Sequence, residues 1–312
     1  MGSRFGIRCV DDYELKRDVC SYGYFLLAPN VWDPTKATLT RTLDVGEGPV
    51  RLVIGQPGGR GREVRVVADR AMGRGEIAEA KRRLVRMLRV DDDVSAFHRV
   101  DPRWKKSGRG RLFRSATFFE DVIRTVTNCN ITWPGTMLIN ERLCEVINPA
   151  FPAAEQLARR RPASLRQRCK VGYRDARIVE LAKLFAGGDV DVGWFEDAGT
   201  GDDEVEKELR SWPGIGPYAA ANIMQLLGRY SRIALDTESV RHGRMVLGME
   251  GESGSIMKRL AKHYEPFGAH KFRSYWFELW DFYEAKKGSA WEWEPRTTGR
   301  SFTKAQMDHK KR

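Results

Sequence analysis

A Pro-Gly-Ile-Gly-Pro turn, Pro213 to Pro217, runs straight into the apolar stretch Ala219–Leu227, and one acid, Asp236, follows eighteen residues after Tyr218. Few backbone arrangements accept that order. Glycines at 214 and 216 suit a bend that a side chain would obstruct. A helix opening at Pro217 presents free N–H groups and the positive end of its dipole, which together attract a phosphate. Asp236 comes after Ile233-Ala234-Leu235 and ahead of a second helical pattern, Val240, Met245 and Val246. It therefore reads as a helix N-cap, where backbone donors favour an ionised carboxylate. Taken singly, these are an ordinary Gly-Pro loop and an ordinary Asp cap. Their spacing points further.

Leu209–Arg241 resembles the signature of the helix-hairpin-helix DNA glycosylases, a Leu-Pro-Gly-Val/Ile-Gly hairpin with an aspartate a fixed distance beyond, although Trp212 stands where the family usually has Leu or Phe. The resemblance is strong over residues 113 to 247 and holds in outline before 100. It implies an α+β fold of the 8-oxoguanine/3-methyladenine glycosylase branch, with a small antiparallel β domain ahead of a mostly helical glycosylase domain. The implied partner is double-stranded DNA carrying a damaged base.

Bulk properties agree with such a partner. The 312 residues carry a net charge of +12 with a pI near 9.6, which suits a polyanion. No segment approaches the ~18 to 20 uninterrupted apolar residues of a membrane span. The first residues, MGSRFGIRCVDDYELKRD, lack the apolar core of a secretory signal. Five scattered cysteines without a CxxC pair suggest reduced thiols in an intracellular protein, prokaryotic or nuclear. Iron–sulfur members of the superfamily carry four cysteines after the catalytic aspartate. None follows Cys169 here, so neither a cluster nor zinc is expected.

Residues 1–105 read as a β-rich domain with one helix. Tyr22–Leu27, Thr38–Leu43, Arg51–Ile54 and Glu63–Val67 are β-prone runs between Gly-rich turns, and Gly75–Val90 is an amphipathic helix whose basic face reads as solvated. The basic stretch Trp104–Arg111 reads as a connection. Residues 106–298 read as the helical domain, with the hairpin motif at 205–228 and helices at Phe118–Val126, Tyr173–Phe185 and Phe272–Ala285. The aromatics of the last helix read as core. Residues 299–312 read as a disordered basic tail.

By the resemblance, Asp236 is the catalytic residue. A carboxylate beside an oxocarbenium-like sugar stabilises its charge or activates water. Glu238, two residues on, is expected to point elsewhere. Family members that also cut the strand carry a lysine where this chain has Tyr218. The implied activity is thus monofunctional, with the phenol ring stacking on a base or lining the pocket, and Lys170 and Lys207 have no context that makes either a substitute amine. Asn128 and Asn130 match an Asn-rich loop whose first Asn fills the gap left by a flipped base, with Cys129 replacing the middle Asn, or they form a helix C-cap. Trp133 stacks on a base or is buried. Backbone at Gly214, Ile215 and Gly216, with Tyr173, Arg174, Arg241 and His242, is the expected DNA contact, although His242 and the Gly-Tyr-Arg turn also suit plain surface structure. No cofactor is required, and the resemblance allows a monovalent cation on hairpin carbonyls near Gly214 and Gly216. A monomer is expected. An alkylated purine is the first substrate, with 8-oxoguanine, or non-catalytic DNA binding, as alternatives.

Overall fold

The computed structural model describes residues 2–59 and 61–303. Five strands, β1 Arg4–Arg8, β2 Asn30–Asp33, β3 Thr38–Asp44, β4 Pro49–Gly55 and β5 Glu63–Ala68, form one antiparallel sheet in the order β1-β5-β4-β3-β2. Alternation sets its faces. Leu39 and Leu43 of β3, Val50, Leu52 and Ile54 of β4, and Val64 and Val66 of β5 point inward, and intervening residues face out. The longer helices are α1 Arg74–Leu88, α2 Phe118–Asn128, α3 Trp133–Val146, α4 Asp175–Gly187, α5 Asp202–Ser211, α6 Pro217–Leu227, α7 Thr237–Met245, α8 Ser253–Tyr264 and α9 Lys271–Lys287.

Two hydrophobic cores result. One joins the inner sheet face and α1 to α7, α8 and the aromatic side of α9. The other belongs to residues 118–227. Between them lie buried charges in place of oil. Arg41, an inward residue of β3, donates to both oxygens of Glu120 on α2 at 2.9 and 2.7 Å, and Arg124 pairs with the same carboxylate at 2.8 Å. Burial pushes the Glu120 carboxyl up, but Arg124 and Arg41 outweigh it and hold it below its usual range. Among the described residues no helix is long and apolar enough to cross a membrane.

The structure corrects several expectations. Tyr22–Leu27 is no strand: Gly23–Leu26 is a single 3-10 turn. Its side chains are buried, and its carbonyls are taken locally or by Arg124, which donates to those of Tyr24, Leu27 and Ala28. The turn at Gly172–Arg174 precedes α4, so that helix opens at Asp175. Trp104–Arg111 is a connection, as expected, and an anchored one, with Trp104 buried and Arg111 buried against Asp12 at 2.8 Å. Gly299–Thr303 is packed: Thr298–Ser301 is helical, and Phe302 is buried against Trp280, Tyr283 and Trp293. Residues 304–312 of the expected tail lie outside the described residues.

Candidate active site

The hairpin forms because α5 ends at Trp212, whose carbonyl accepts from Ile215 N–H at 3.2 Å, and α6 starts at Pro217. Gly214 has φ +75°, and a Cβ there would come within 2.5 Å of the Arg177 side chain, so glycine is required. Gly216 differs from expectation. It is extended, at φ −91° and ψ −177°, and an added Cβ would meet nothing within 4 Å. Its lack of a side chain leaves the mouth of α6 open instead of relieving strain. Ile215 is buried, so only its backbone can serve the surface.

Beside the hairpin opens a cleft of about 970 Å³. It brings together Asp236, Tyr218, Asn128, Asn130, Trp133, Tyr173, Gly214 and Gly216. Phe272, Tyr275, Trp276 and Tyr283 of α9 complete the wall, with Phe272 and Trp276 stacked at 6.0 Å. The expectation that these aromatics are only core is thus half right. Period alone could not show that the same stripe faces a cavity. No lysine lines the cleft among the described residues.

Asp236 caps α7. Its carboxylate accepts from Ser239 N–H at 2.9 Å, and Ser239 Oγ receives Asp236 N–H at 2.8 Å. These donors, the Tyr218 hydroxyl and the nearby Arg241 charge favour the anion, yet desolvation outweighs them and the carboxyl titrates above its ordinary value. A cap position alone implied the reverse. Burial likewise raises Tyr218, next to the negative Asp236, with Asn222 beside its hydroxyl acting in the opposite direction. Tyr22 reaches Asn222 Oδ1 at 3.4 Å from the opposite side.

Glu238 lies in the same cleft, contrary to expectation. The residue after a cap is followed by the first helical turn, which here wraps back toward Tyr283. Glu238 accepts from Tyr283 and pairs with Arg241, and burial raises its carboxyl too. Arg241 is occupied: besides Glu238 it donates to the Thr303 carbonyl at 2.7 Å and to Tyr283 at 3.0 Å. It braces the cleft wall and is no free phosphate contact. His242 faces the core, fully buried, with Nε2 2.9 Å from the Tyr264 hydroxyl. Tyr264 donates its proton to Glu278 at 2.6 Å, so the imidazole must be the donor of the pair. Burial lowers its pKa to about 4.

The Asn loop is built from within. Arg174, expected at DNA, is buried, donating to the carbonyls of Cys129 and Asn130. Asn130 sits at φ +51° and donates to the Tyr173 hydroxyl at 3.2 Å. Asn128 ends α2, its Oδ1 accepting from Thr136 at 3.0 Å, which leaves its NH2 for the cleft. Trp133 is tied through Nε1 to the Gly299 carbonyl at 2.9 Å and packs on Phe302, a bracing position with part of its ring in the cleft.

No family model matches the sequence, and no curated protein matches it. Solved structures do match. A 3-methyladenine DNA-glycosylase from Archaeoglobus fulgidus superposes with a TM-score of 0.65 at 17% identity, over 89% of this chain and 98% of that one. The apo-form of the Clostridium acetobutylicum 8-oxoguanine glycosylase/lyase gives 0.64 at 17%, over 89% and 98%. The same enzyme with dsDNA containing cytosine opposite 8-oxoG gives 0.63 at 18%, over 91% and 98%. The chain therefore has the fold of the helix-hairpin-helix DNA glycosylases.

Proposed function

We propose that this protein is a DNA N-glycosylase of base-excision repair. It flips a damaged base out of duplex DNA and hydrolyses its N-glycosidic bond without cutting the strand. One observation carries the reading: a desolvated carboxylate, Asp236, at the wall of an aromatic cleft whose rim is the hairpin. Flipping costs a few kcal/mol of unstacking, roughly, which aromatic faces and backbone donors to phosphate offset. Gly214, Ile215 and Gly216 offer backbone; among the described residues no protein acceptor takes the N–H of Gly214 or Gly216. Asp236 as the anion then stabilises the cationic sugar or accepts a proton from attacking water. Tyr218 in the place of an amine, and a cleft lining without lysine, favour hydrolysis over a Schiff base.

Stacked Phe272 and Trp276, with Tyr275 and Tyr218, suit an electron-poor alkylated purine, the first substrate. The free NH2 of Asn128 favours a second reading, 8-oxoguanine with the Asn loop filling the gap. The reaction needs no cofactor. Hairpin carbonyls at Gly214 and Ile215, which accept no hydrogen bond among the described residues, fit a monovalent cation. The active unit is taken to be a monomer. The test uses purified protein and its Asp236→Asn variant on duplexes with one damaged base each. Released base and strand breaks, with and without alkali, are measured. Release by wild type alone, with breaks only after alkali, is expected; DNA binding with no release from any lesion favours a non-catalytic clamp.

A further inference from the structure

Residues 159–177 hold eight cations (Arg159, Arg160, Arg161, Arg166, Arg168, Lys170, Arg174, Arg177) and one acid, Asp175, or +7 of the chain's +12. Elsewhere some exposed arginines are neutralised, Arg62 by Asp11, Arg65 by Glu63 and Arg82 by Glu79, and others, such as Arg4, Arg74 and Arg210, have no ion pair among the described residues; what sets 159–177 apart is how many cations one stretch gathers. Here Arg174 turns inward and Arg166 pairs with Asp175 at 2.9 Å. The exposed Arg159, Arg161, Arg168, Lys170 and Arg177 face no carboxylate within ion-pair distance among the described residues. Their crowding carries a repulsive cost.

The chain path gives them direction. Arg168 lies near the end of the helix Pro162–Cys169; Lys170 follows in a left-handed conformation at φ 60°, and the Gly172–Arg174 turn brings the chain to Tyr173 and Arg177 in the cleft lining. The Arg177 guanidinium lies over Tyr173, and its stem abuts Gly214 of the hairpin. The eight-residue helix adds about 12 Å and the connecting residues up to about 11 Å more. That reach corresponds to at most about seven duplex steps at about 3.4 Å each.

We propose that this ridge is a second DNA-binding surface, a phosphate track that grips the duplex to one side of the hairpin. The proposal rests on duplex DNA being the cleft's partner. Binding then releases counterions from both hairpin and ridge, so affinity falls steeply with salt.

The test compares wild type with an Arg159→Gln/Arg161→Gln/Arg168→Gln variant, and with an Arg51→Gln/Arg62→Gln/Arg65→Gln variant that removes equal charge from the outer sheet face and the turn that leads into β5. Affinity for an undamaged duplex is followed across salt concentrations, with thermal melting as the check on folding. The ridge variant is expected to lose up to about 2.7 from the magnitude of the log–log salt slope, at about 0.9 per phosphate contact, while the sheet variant keeps the wild-type slope. An unchanged slope in the ridge variant, or an equal fall in both, overturns the track. Base release by wild type is scored separately. A ridge-dependent slope without release leaves the track standing and removes the glycosylase reading, and release with a ridge-independent slope does the opposite.

Discussion

The two halves that face each other across the cleft contribute unlike materials. The sheet with α7 to α9 supplies Asp236, Glu238 and a wall of aromatics, so its side of the cleft is dry and acidic. Residues 118–227 supply Asn128, Asn130, Tyr173, Arg177, the hairpin and Tyr218, so that side is amide, cation and exposed backbone. The seam between them is sewn with the Arg41–Glu120–Arg124 cluster. On the proposed function, one half raises a carboxylate's energy and the other holds a polyanion. Grip and chemistry are thereby separable by mutation.

Asp236→Asn separates them most sharply. Loss of base release by about 10²- to 10⁴-fold is expected, with duplex binding retained. Asparagine caps a helix as well as aspartate does, so α7 stays intact. Stability should move the other way. Because the folded carboxyl titrates above the unfolded one, its stabilising contribution is complete below the unfolded pKa and is lost as pH rises through the folded value. The variant should therefore gain in melting temperature over wild type as pH rises from acid to neutral. A gap that does not change with pH would mean the site is not desolvated.

Glu120→Gln attacks the seam. Two buried guanidiniums lose their counter-charge, and a cost of about 3–5 kcal/mol is expected in denaturant unfolding. A smaller loss, below about 1 kcal/mol, would show that water reaches the seam and that the halves are less tightly joined than the geometry indicates.

His242 tests the inner face of α7. Its pKa near 4, against 6.5 unfolded, belongs to a base depressed by burial, so its stabilisation is present above pH 6.5 and is lost as pH falls toward 4. That difference amounts to roughly 3 kcal/mol. His242→Phe should flatten the acid limb of the stability curve. An unchanged limb would place the titration elsewhere.

How much was legible follows the same division. The hairpin, the cap at Asp236 and the strands β3 to β5 were readable because each is a local pattern: glycine turn, acid before a helical period, strict alternation. Arg241 and His242 lie elsewhere than expected because helical spacing gives an angle around an axis and not what lies there, and Arg174 because its Gly-Tyr-Arg resemblance says nothing of the loop carbonyls that claim it. Tyr264 drew one inward, and the carbonyls of Cys129 and Thr303 occupied the others. The short strand Asn30–Asp33 and the turn at Gly23–Leu26 depend on long-range partners, Arg41 and Arg124, about which the local sequence is silent. The Asp236 carboxyl was expected to be low from its cap alone, and only the folded aromatics show that desolvation wins.

Tyr218→Phe makes the smallest change and probes the contact between the Tyr218 hydroxyl and Asp236. The Tyr22 hydroxyl donates to Asn222 Oδ1 at 3.4 Å, and the Tyr218 hydroxyl, beside Asn222, faces the Asp236 carboxylate and favours its anion. This polar line starts in the sheet half, passes through α6 and ends at the carboxylate. Phenylalanine keeps the ring for any stacking and removes only the last donor. A hydrogen bond to a charged group contributes about 1.5–3 kcal/mol, so roughly a tenfold loss in single-turnover rate is the lower expectation. Since that bond also lowers the Asp236 pKa, its removal should shift the acid limb of the pH–rate profile to higher pH. A rate loss without the shift would assign the hydroxyl to the substrate, and neither change would leave Tyr218 as a ring alone.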